Sequence, residues 1–310
     1  MAADRENPEG MYFDGSKFTV GCQDRDSLYL EWLRLMNEYS RRQLSHSSDR
    51  LQAIQGIANE FQHRLKDNYL AGLWEGDLVR SLVWRTFYED ASVPDYSRAP
   101  SWSWASLDSG IFWEDDIISS RDIDPLCMIV STTSDLRIEI SGLLCEVDLA
   151  LLEFASPNDY MDDVTTSLVD GQLRYTFDMD GWRLGSLRRV STDDTTSSGK
   201  PSGFEIARGK PRVEELKILI KGAFLLHMYC RLPGSIVGLV LMPEIGMGKG
   251  TFRRIGMFRV SQQREKLSTM EEDAIMLDQY TNFVRAQAHT IGPEFYVRQE
   301  QGGDCTVHLV

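Results

Sequence analysis

Residues 98–106 read Arg-Ala-Pro-Ser-Trp-Ser-Trp-Ala-Ser, and the hydrophobic pattern of the chain changes from helical to strand-like at this stretch. Pro100 favours an extended backbone at the residue before it. Trp102 and Trp104 are expected to share one face of an extended strand, because side chains alternate along it. Each indole buries on the order of 200 Å², so we predict a buried aromatic clamp between the two halves. The alternative is an exposed platform for a ligand or a protein partner.

Apolar residues upstream of this stretch recur at helical spacing. One predicted helix carries its apolar face over residues 28–39 and a second over residues 51–61, and Asp77 is placed to begin a short third helix. Two more tryptophans, Trp74 and Trp84, lie in the same region. They are expected to serve the structure or to contact a partner, as are the two tryptophans of the clamp and the proline before them.

From residue 98 onward the apolar period shortens to that of strands. Alternation or apolar runs cover residues 136–140, 173–177, 216–220, 224–229, 236–241, 252–260 and 305–310. Gly and Pro turns separate these segments without a helix between each pair, which favours an antiparallel sandwich or barrel over a parallel sheet. Ser268 and Glu271 form a capping box that predicts a late helix over residues 269–288. Residues 191–203 are polar and are predicted to form a mobile surface loop.

These patterns predict an α+β fold, in which an N-terminal helical layer over residues 27–97 packs on a mainly antiparallel β region over residues 98–310. With 33 basic and 47 acidic residues the net charge is −14, which disfavours binding to nucleic acid or to anionic membranes. No apolar stretch approaches the roughly 20 residues that span a bilayer, and residues 1–10 lack the apolar core of a signal peptide. The five cysteines are scattered, as expected for reduced thiols, so a cytoplasmic location is predicted.

The usual sequence signatures of catalysis and cofactor binding are missing. No G-x-S-x-G elbow occurs, and residues 246–251 fail the phosphate-loop pattern and are predicted to form a hairpin turn. The nearest histidine and cysteine, His227 and Cys230, are predicted to face opposite sides of a strand and to pack in the core. Acidic residues at 114–116 and 159–163 are interpreted as solvated turns. We therefore predict no catalytic residue, cofactor or metal; the alternative is a hydrolase with a site assembled from scattered cysteine, histidine or carboxylate residues.

Five motifs stand in one order between residues 38 and 106. They read Glu-Tyr-Ser-Arg-Arg-x-Leu at 38–44, Ser-Asp-Arg-Leu-x-Ala-Ile-x-Gly-Ile-Ala at 48–58, Tyr-Leu-Ala-Gly-Leu-Trp at 69–74, Leu-x-Trp at 82–84 and Ala-Pro-Ser-Trp-Ser-Trp-Ala-Ser at 99–106. In this order they resemble the region downstream of the HET domain in fungal heterokaryon incompatibility proteins. Residues 252–258, Phe-Arg-Arg-Ile-Gly-Met-Phe, resemble a late strand of the same proteins.

The resemblance implies a domain context and a function. Within residues 1–26, the segment 11–17 and Cys22 resemble the part that follows the HET domain, and that domain itself is expected to be missing from the chain. The chain is then expected to be a non-enzymatic C-terminal regulatory or recognition region, which acts through contacts with a protein partner in fungal self/non-self recognition. Activities ascribed to the HET domain, including the trigger of cell death, are not carried over to these residues.

Overall fold

The fold is α+β, with helices packed on a large and mainly antiparallel sheet, as the sequence predicts. The computed structural model describes residues 24–42, 44–86, 98–114, 117, 123–148, 153–154, 164–169, 171–180, 217, 220–231, 234–262 and 270–310. The predicted loop at 191–203, the acidic cluster at 159–163, nearly all of residues 1–26 and the capping serine at 268 lie outside the described residues. What was predicted for them stays a prediction.

Four α-helices have both of their ends in the described residues: α1 (Arg25–Ser40), α2 (Arg50–Leu65), α3 (Leu78–Ser81) and α4 (Met270–Ala288). The α1 helix begins after Asp24, whose carboxylate accepts a hydrogen bond of 2.8 Å from the backbone N–H of Ser27 and so caps the helix. Trp32 of α1 packs against Phe61 of α2 with 5.2 Å between ring centroids. The helices predicted from residues 28–39, 51–61 and 269–288 are confirmed.

Sixteen strands are described. In chain order they are β1 (Tyr69–Leu70), β2 (Leu73–Trp74), β3 (Arg85–Thr86), β4 (Ile111–Phe112), β5 (Asp124–Pro125), β6 (Cys127–Thr132), β7 (Ile138–Gly142), β8 (Leu144–Glu146), β9 (Glu153–Phe154), β10 (Val164–Val169), β11 (Gly171–Met179), β12 (Phe224–Arg231), β13 (Ser235–Pro243), β14 (Thr251–Gln262), β15 (Arg298–Gln299) and β16 (Cys305–Leu309). Strands β1 and β2 form one small pair and β3 and β4 another, while the other twelve strands form one sheet.

The pairing of the large sheet closes on itself. Strand β12 pairs with β13 and β13 with β14, both antiparallel, and β16 runs parallel to the first residues of β14. On its other edge β16 pairs with β7. The chain continues from β7 through Leu143 into β8, which pairs back with β12. The predicted sandwich or barrel therefore takes a barrel-like form, and β11 extends the sheet from β14.

The residues of β12 separate two hydrophobic cores. Phe224 and Leu226 belong to the tryptophan-rich core, which also contains Trp32, Trp74, Trp84, Trp102, Trp104 and Trp113. The intervening Leu225 belongs to the α4 core, which also contains Ile236, Phe258, Tyr280 and Val284. Because neighbouring side chains of a strand point to opposite faces, the sheet lies between the N-terminal helices and α4.

One strand prediction is wrong, and one begins later than expected. In the segment 216–220, Lys217 and Ile220 are helical, and the N–H of Lys221 donates to the carbonyl of Lys217 across one helical turn (3.1 Å). Such a short apolar pattern fits a helical turn as well as a strand. The strand predicted at 136–140 is confirmed as β7, but it begins at Ile138. Leu136 lies in the turn between β6 and β7, where its φ is 61° and its N–H donates to the carbonyl of Thr133. The hairpin predicted at 246–251 is confirmed as the connection between β13 and β14.

Candidate functional site

The segment that carries Trp102 and Trp104 is a series of turns, and the predicted extended strand is wrong. The N–H of Ser103 donates to the carbonyl of Pro100 (3.0 Å), and residues Trp104–Ser106 form a 3-10 helix. The Ser103 hydroxyl accepts a hydrogen bond from the N–H of Ala105 and caps this helix. Serine hydroxyls form such local bonds in competition with strand structure. Both indoles are nevertheless fully buried, as the clamp interpretation requires.

Hydrogen bonds from the indoles join parts of the chain that are distant in sequence. Trp102 donates to the carbonyl of Leu136 (3.1 Å), and Trp84 donates to the carbonyl of Trp102 (2.9 Å). Trp104 and Trp32 both donate to the carbonyl of Gly72, at 3.1 Å and 2.9 Å. Buried indole N–H groups need such partners, so these bonds set the positions of the rings as well as their burial.

Gly72 is required where the segment meets the β1–β2 turn. Its φ is +101°, and a Cβ added there would lie 2.4 Å from the indole nitrogen of Trp104. Trp74, in β2, is buried and packs edge-on against Trp32, with 5.3 Å between ring centroids. The structure thus gathers all four predicted tryptophans into one core, whereas Pro100 lies at its edge and is half-buried.

Ser101 ties the segment to the sheet. Its hydroxyl donates to the carbonyl of Val310, which follows β16, and accepts from the backbone N–H of Arg254 in β14 (2.9 Å). The Ser101 N–H donates to the same Val310 carbonyl (3.1 Å). One residue of the segment therefore holds β14 and the end of β16 together.

An ionic ladder begins beside Trp84, and sequence reasoning missed it. The guanidinium of Arg254 lies 3.3 Å from the centroid of the Trp84 ring and donates to both carboxylate oxygens of Asp180 at 2.8 Å. The Arg254 side chain is 0% exposed and that of Asp180 is 3% exposed. Burial lowers the pKa of Arg254, an effect that Asp180 opposes. A buried charge of this kind is held only because it is paired and hydrogen-bonded.

A second group of the ladder lies close to the first, since the charge of its Asp178 acts on Arg254 and opposes the effect of burial on the pKa of that arginine. Arg85 pairs with Asp178 at 2.6 Å and with one carboxylate oxygen of Glu114, whose other oxygen pairs with Arg259. Its members are Asp180, Arg254, Asp178, Arg85, Glu114 and Arg259. The interpretation of 114–116 as a solvated turn is therefore wrong for Glu114, which is largely buried between two arginines. The predicted strand at 252–258 contains two adjacent arginines, which is a signal for a buried ion pair. The sequence pattern alone did not show which of the two arginines is buried.

The prediction that His227 and Cys230 face opposite sides of the strand is wrong. The register of β12 against β13 shifts between His227 and Tyr229, so that Met228 and Tyr229 both enter the tryptophan-rich core. Cys230 then packs against the α4 core, the side on which His227 meets Tyr280. No hydrogen bond between His227 and Cys230 occurs in the described part of the chain. A bulge of this kind leaves no mark in an apolar sequence pattern.

His227 is held as a neutral imidazole. Its Nδ1 lies 3.0 Å from the carbonyl of Leu143, which only accepts, and its Nε2 lies 2.9 Å from the hydroxyl of Tyr280. Nδ1 therefore donates and Nε2 accepts from the tyrosine. Burial lowers the pKa of His227 to about 4, against a weaker opposing effect of the Leu143 carbonyl. With both nitrogens occupied, this histidine is not poised to activate a nucleophile.

The described thiols are also held in an unreactive form. Burial raises the pKa of Cys127 and of Cys145 to about 12, and the pKa of Cys230 and of Cys305 to about 11. The thiolate is the nucleophile, so these cysteines are protonated near neutral pH. Among the described residues, no three or more His, Cys, Asp and Glu side chains are arranged to hold a metal ion. Within the same residues no helix has both the length and the apolar character needed to cross a bilayer.

Comparison of the chain with protein-family models, with curated proteins and with solved structures gave no match.

Proposed function

We propose that the chain is a non-enzymatic regulatory or recognition region of a heterokaryon-incompatibility-like protein. In this proposal it acts in the cytoplasm, through contacts with a protein partner, in fungal self/non-self recognition. The observation that supports it most is that residues from all five motifs of the resemblance bind one another directly. The five motifs then belong to one packed unit. The chain contacts its partner through the surface of this unit.

Arg50, in the second motif, illustrates these contacts. Its guanidinium donates to the carbonyls of Ser40, in the first motif, and of Leu107, and it reaches the carbonyl of Ser109 at 2.8 Å. Burial lowers the pKa of Arg50. A buried guanidinium satisfied by three main-chain carbonyls fixes the spacing between α1, α2 and the segment after Trp104. Such a residue serves the architecture of the unit and does not face a substrate.

The remaining motifs join the same unit through the tryptophans. Trp84, in the fourth motif, donates to the carbonyl of Trp102 in the fifth, and Trp104 of the fifth donates to Gly72 in the third. Tyr39, in the first motif, packs edge-on against Trp104 with 6.0 Å between ring centroids. These contacts favour the interpretation of the unit as a rigid scaffold. They do not favour its interpretation as a reactive centre.

The β13–β14 connection gives this scaffold a candidate contact surface. Ile245 is 97% exposed and Met247 is 51% exposed. The loop backbone is anchored, because the N–H of Glu244 donates to the main-chain carbonyl of Thr251 (2.9 Å) and the N–H of Gly250 donates to the main-chain carbonyl of Glu294 (3.0 Å). Large apolar side chains held outward by an anchored loop are typical of protein contacts, since their ordering costs little on binding.

A chimera tests the proposal. A HET domain from a heterokaryon incompatibility protein is joined to the N-terminus of this chain and expressed in a filamentous fungus, and the viability of fused cells is counted. We expect the chain to change the death response, and we expect the double variant Ile245→Asp/Met247→Asp to weaken that change. The matched control is the double variant Ile57→Asp/Ile275→Asp, which places the same two charges at exposed apolar positions of α2 and α4. A chimera whose response is the same with and without this chain would contradict the proposal.

The hydrolase alternative is tested in the same cells. Under the proposal, Cys127→Ser and Cys230→Ser leave the death response unchanged, because both thiols are protonated and packed. A response that is lost in either folded variant, while Ile245→Asp/Met247→Asp retains it, would favour an enzyme. Folding of each variant is checked by circular dichroism and by its urea midpoint.

A further inference from the structure

The outer face of α2 is exposed in the described part of the chain. The inner face packs in the tryptophan-rich core through residues that include Ile54, Ala58 and Phe61. The outer face, opposite this core, carries Gln52, Gly56, Asn59, Glu60 and His63. Glu60 is the one carboxylate among these five residues, in a chain whose net charge is −14. Depletion of charge is typical of the centre of a protein–protein interface.

Three exposed residues lie on one ridge of this face. Asp49, directly before α2, is followed at intervals of seven residues by Gly56 and His63. Seven residues are close to two helical turns, so the three positions lie above one another. Asp49 makes no capping hydrogen bond, and its carboxylate accepts from the Ser48 hydroxyl (3.0 Å). Within the described residues neither Asp49 nor His63 forms an ion pair.

Gly56 lies midway along the ridge, and the fold of the chain does not require a glycine there. A Cβ added at Gly56 would have nothing within 4 Å. Alanine is the better helix former by about 1 kcal/mol, so a glycine at this position lowers the stability of the isolated helix. Glycine does allow another backbone to approach closely. The position therefore suits the crossing point of a second helix.

We propose that α2 pairs antiparallel with α2 of a second copy of the chain, about a two-fold axis at Gly56. Asp49 and His63 are each seven residues from this axis, so Asp49 of one copy lies opposite His63 of the other, and the pair occurs twice. Histidine can carry a positive charge and so complements the carboxylate. A contact between identical surfaces must be complementary to itself in this way.

Two further features of the face fit the same arrangement. The axis places Glu60 of one copy opposite Gln52 of the other, whose amide is a hydrogen-bond donor. Antiparallel helices also bring the positive end of each macrodipole to the negative end of the other. Residues repeated at intervals of seven favour a crossing angle of about 20°, which keeps the ends of the two helices close. The exposed loop at Ile245 and Met247 takes no part in this contact.

Sedimentation equilibrium of the full chain, at low salt and about pH 6, measures the pairing. One helix pair forms a small interface, so we expect a dimer with a dissociation constant on the order of 10–100 µM. Asp49→Lys and His63→Asp each place like charges opposite one another and are expected to raise this constant by about tenfold. The double variant Asp49→Lys/His63→Asp exchanges the charges and is expected to restore the dimer. An equimolar mixture of the two single variants is expected to form the mixed dimer.

Gly56→Ala tests the crossing point. The added methyl group separates the helices, so the dissociation constant is expected to rise by about tenfold although the helix itself is stabilised. Gly302→Ala is the matched control, because Gly302 lies in the β15–β16 connection and an added Cβ there also meets nothing within 4 Å. Circular dichroism confirms that each variant is folded.

The inference fails if the chain stays monomeric up to about 500 µM, well above the expected dissociation constant. It also fails if the exchanged double variant associates no better than the single variants. A dimer that is abolished by Ile245→Asp/Met247→Asp would use the β13–β14 connection instead. If the chain were monomeric and Gly56→Ala weakened the death response of the chimera, the face would belong to a different protein. The pairing does not rest on the proposed function, because it is measured on the purified chain.

Discussion

The tryptophan-rich core and the α4 core lie on opposite faces of β12 and hold their polar groups differently. The tryptophan-rich core contains six buried tryptophans, and indole N–H groups among them donate hydrogen bonds to main-chain carbonyls. This core also borders the ionic ladder. The second is aliphatic and aromatic, and His227 and Tyr280 form a neutral hydrogen-bonded pair at its side of the sheet. Directional hydrogen bonds and charges specify one arrangement of the tryptophan-rich core, whereas burial of apolar area accounts for most of the stability of the α4 core.

The largest expected effect comes from the ladder. Arg254→Met leaves Asp180 buried without its arginine and is expected to lower the free energy of unfolding by about 3–5 kcal/mol. The neighbouring Arg253→Met is the matched control, because Arg253 is 40% exposed and its contact with Glu244 at 3.3 Å is partly solvated. We expect it to cost no more than about 0.5 kcal/mol. The free energy of unfolding of both variants is measured by urea unfolding. If the two variants lost equal amounts of it, the ladder would not distinguish the two cores.

The two cores are also expected to respond to pH in opposite directions. Because the folded-state pKa of His227 is depressed to about 4 from 6.5, its contribution to stability is present above pH 6.5 and is lost as the pH falls toward 4. The loss is on the order of 3 kcal/mol across this window. His227→Gln is expected to flatten this part of the pH profile of the unfolding free energy.

Asp77, on the other face of the sheet, is expected to give stability the opposite pH dependence. Its folded-state pKa is raised to about 7 from 3.8, so its contribution is present at low pH and is lost as the pH rises through this range. The stability of Asp77→Asn relative to the wild type should therefore increase with pH between these values. If both variants changed the profile with the same sign, the contrast between the cores would be contradicted.

A smaller effect is expected at two glycines. Gly72→Ala places a Cβ against the indole of Trp104 at a backbone φ of +101°, and it should cost about 1–3 kcal/mol. Gly56→Ala lies in α2 with nothing within 4 Å of the new Cβ, and it should add about 0.5–1 kcal/mol through helix propensity. Urea midpoints of the two variants should move in opposite directions. If Gly72→Ala left the urea midpoint unchanged, the turn and the indole of Trp104 would be shown to adjust freely.

The sequence allowed the elements to be predicted better than the contacts between them. The helices and β12, β13, β14 and β16 were predicted because hydrophobic period depends on residues a few positions apart. The ladder joins Arg85 to Glu114 across 29 positions and Arg254 to Trp84 across 170, and no local pattern contains such pairings. The burial of Trp102 and Trp104 followed from their size. Their turn conformation did not, because serine hydrogen bonds overrode the alternation.

The carbonyl of Gly72 has a consequence for how substitutions combine. An oxygen of this kind has two lone pairs, and the indoles of Trp32 and Trp104 use both. The first helix and the serine-rich turn are therefore coupled through a single atom. Replacing one indole changes the environment of the other, so the energies of the two changes are not additive, and a carbon-13 label on that carbonyl would register movement of either partner in its infrared band.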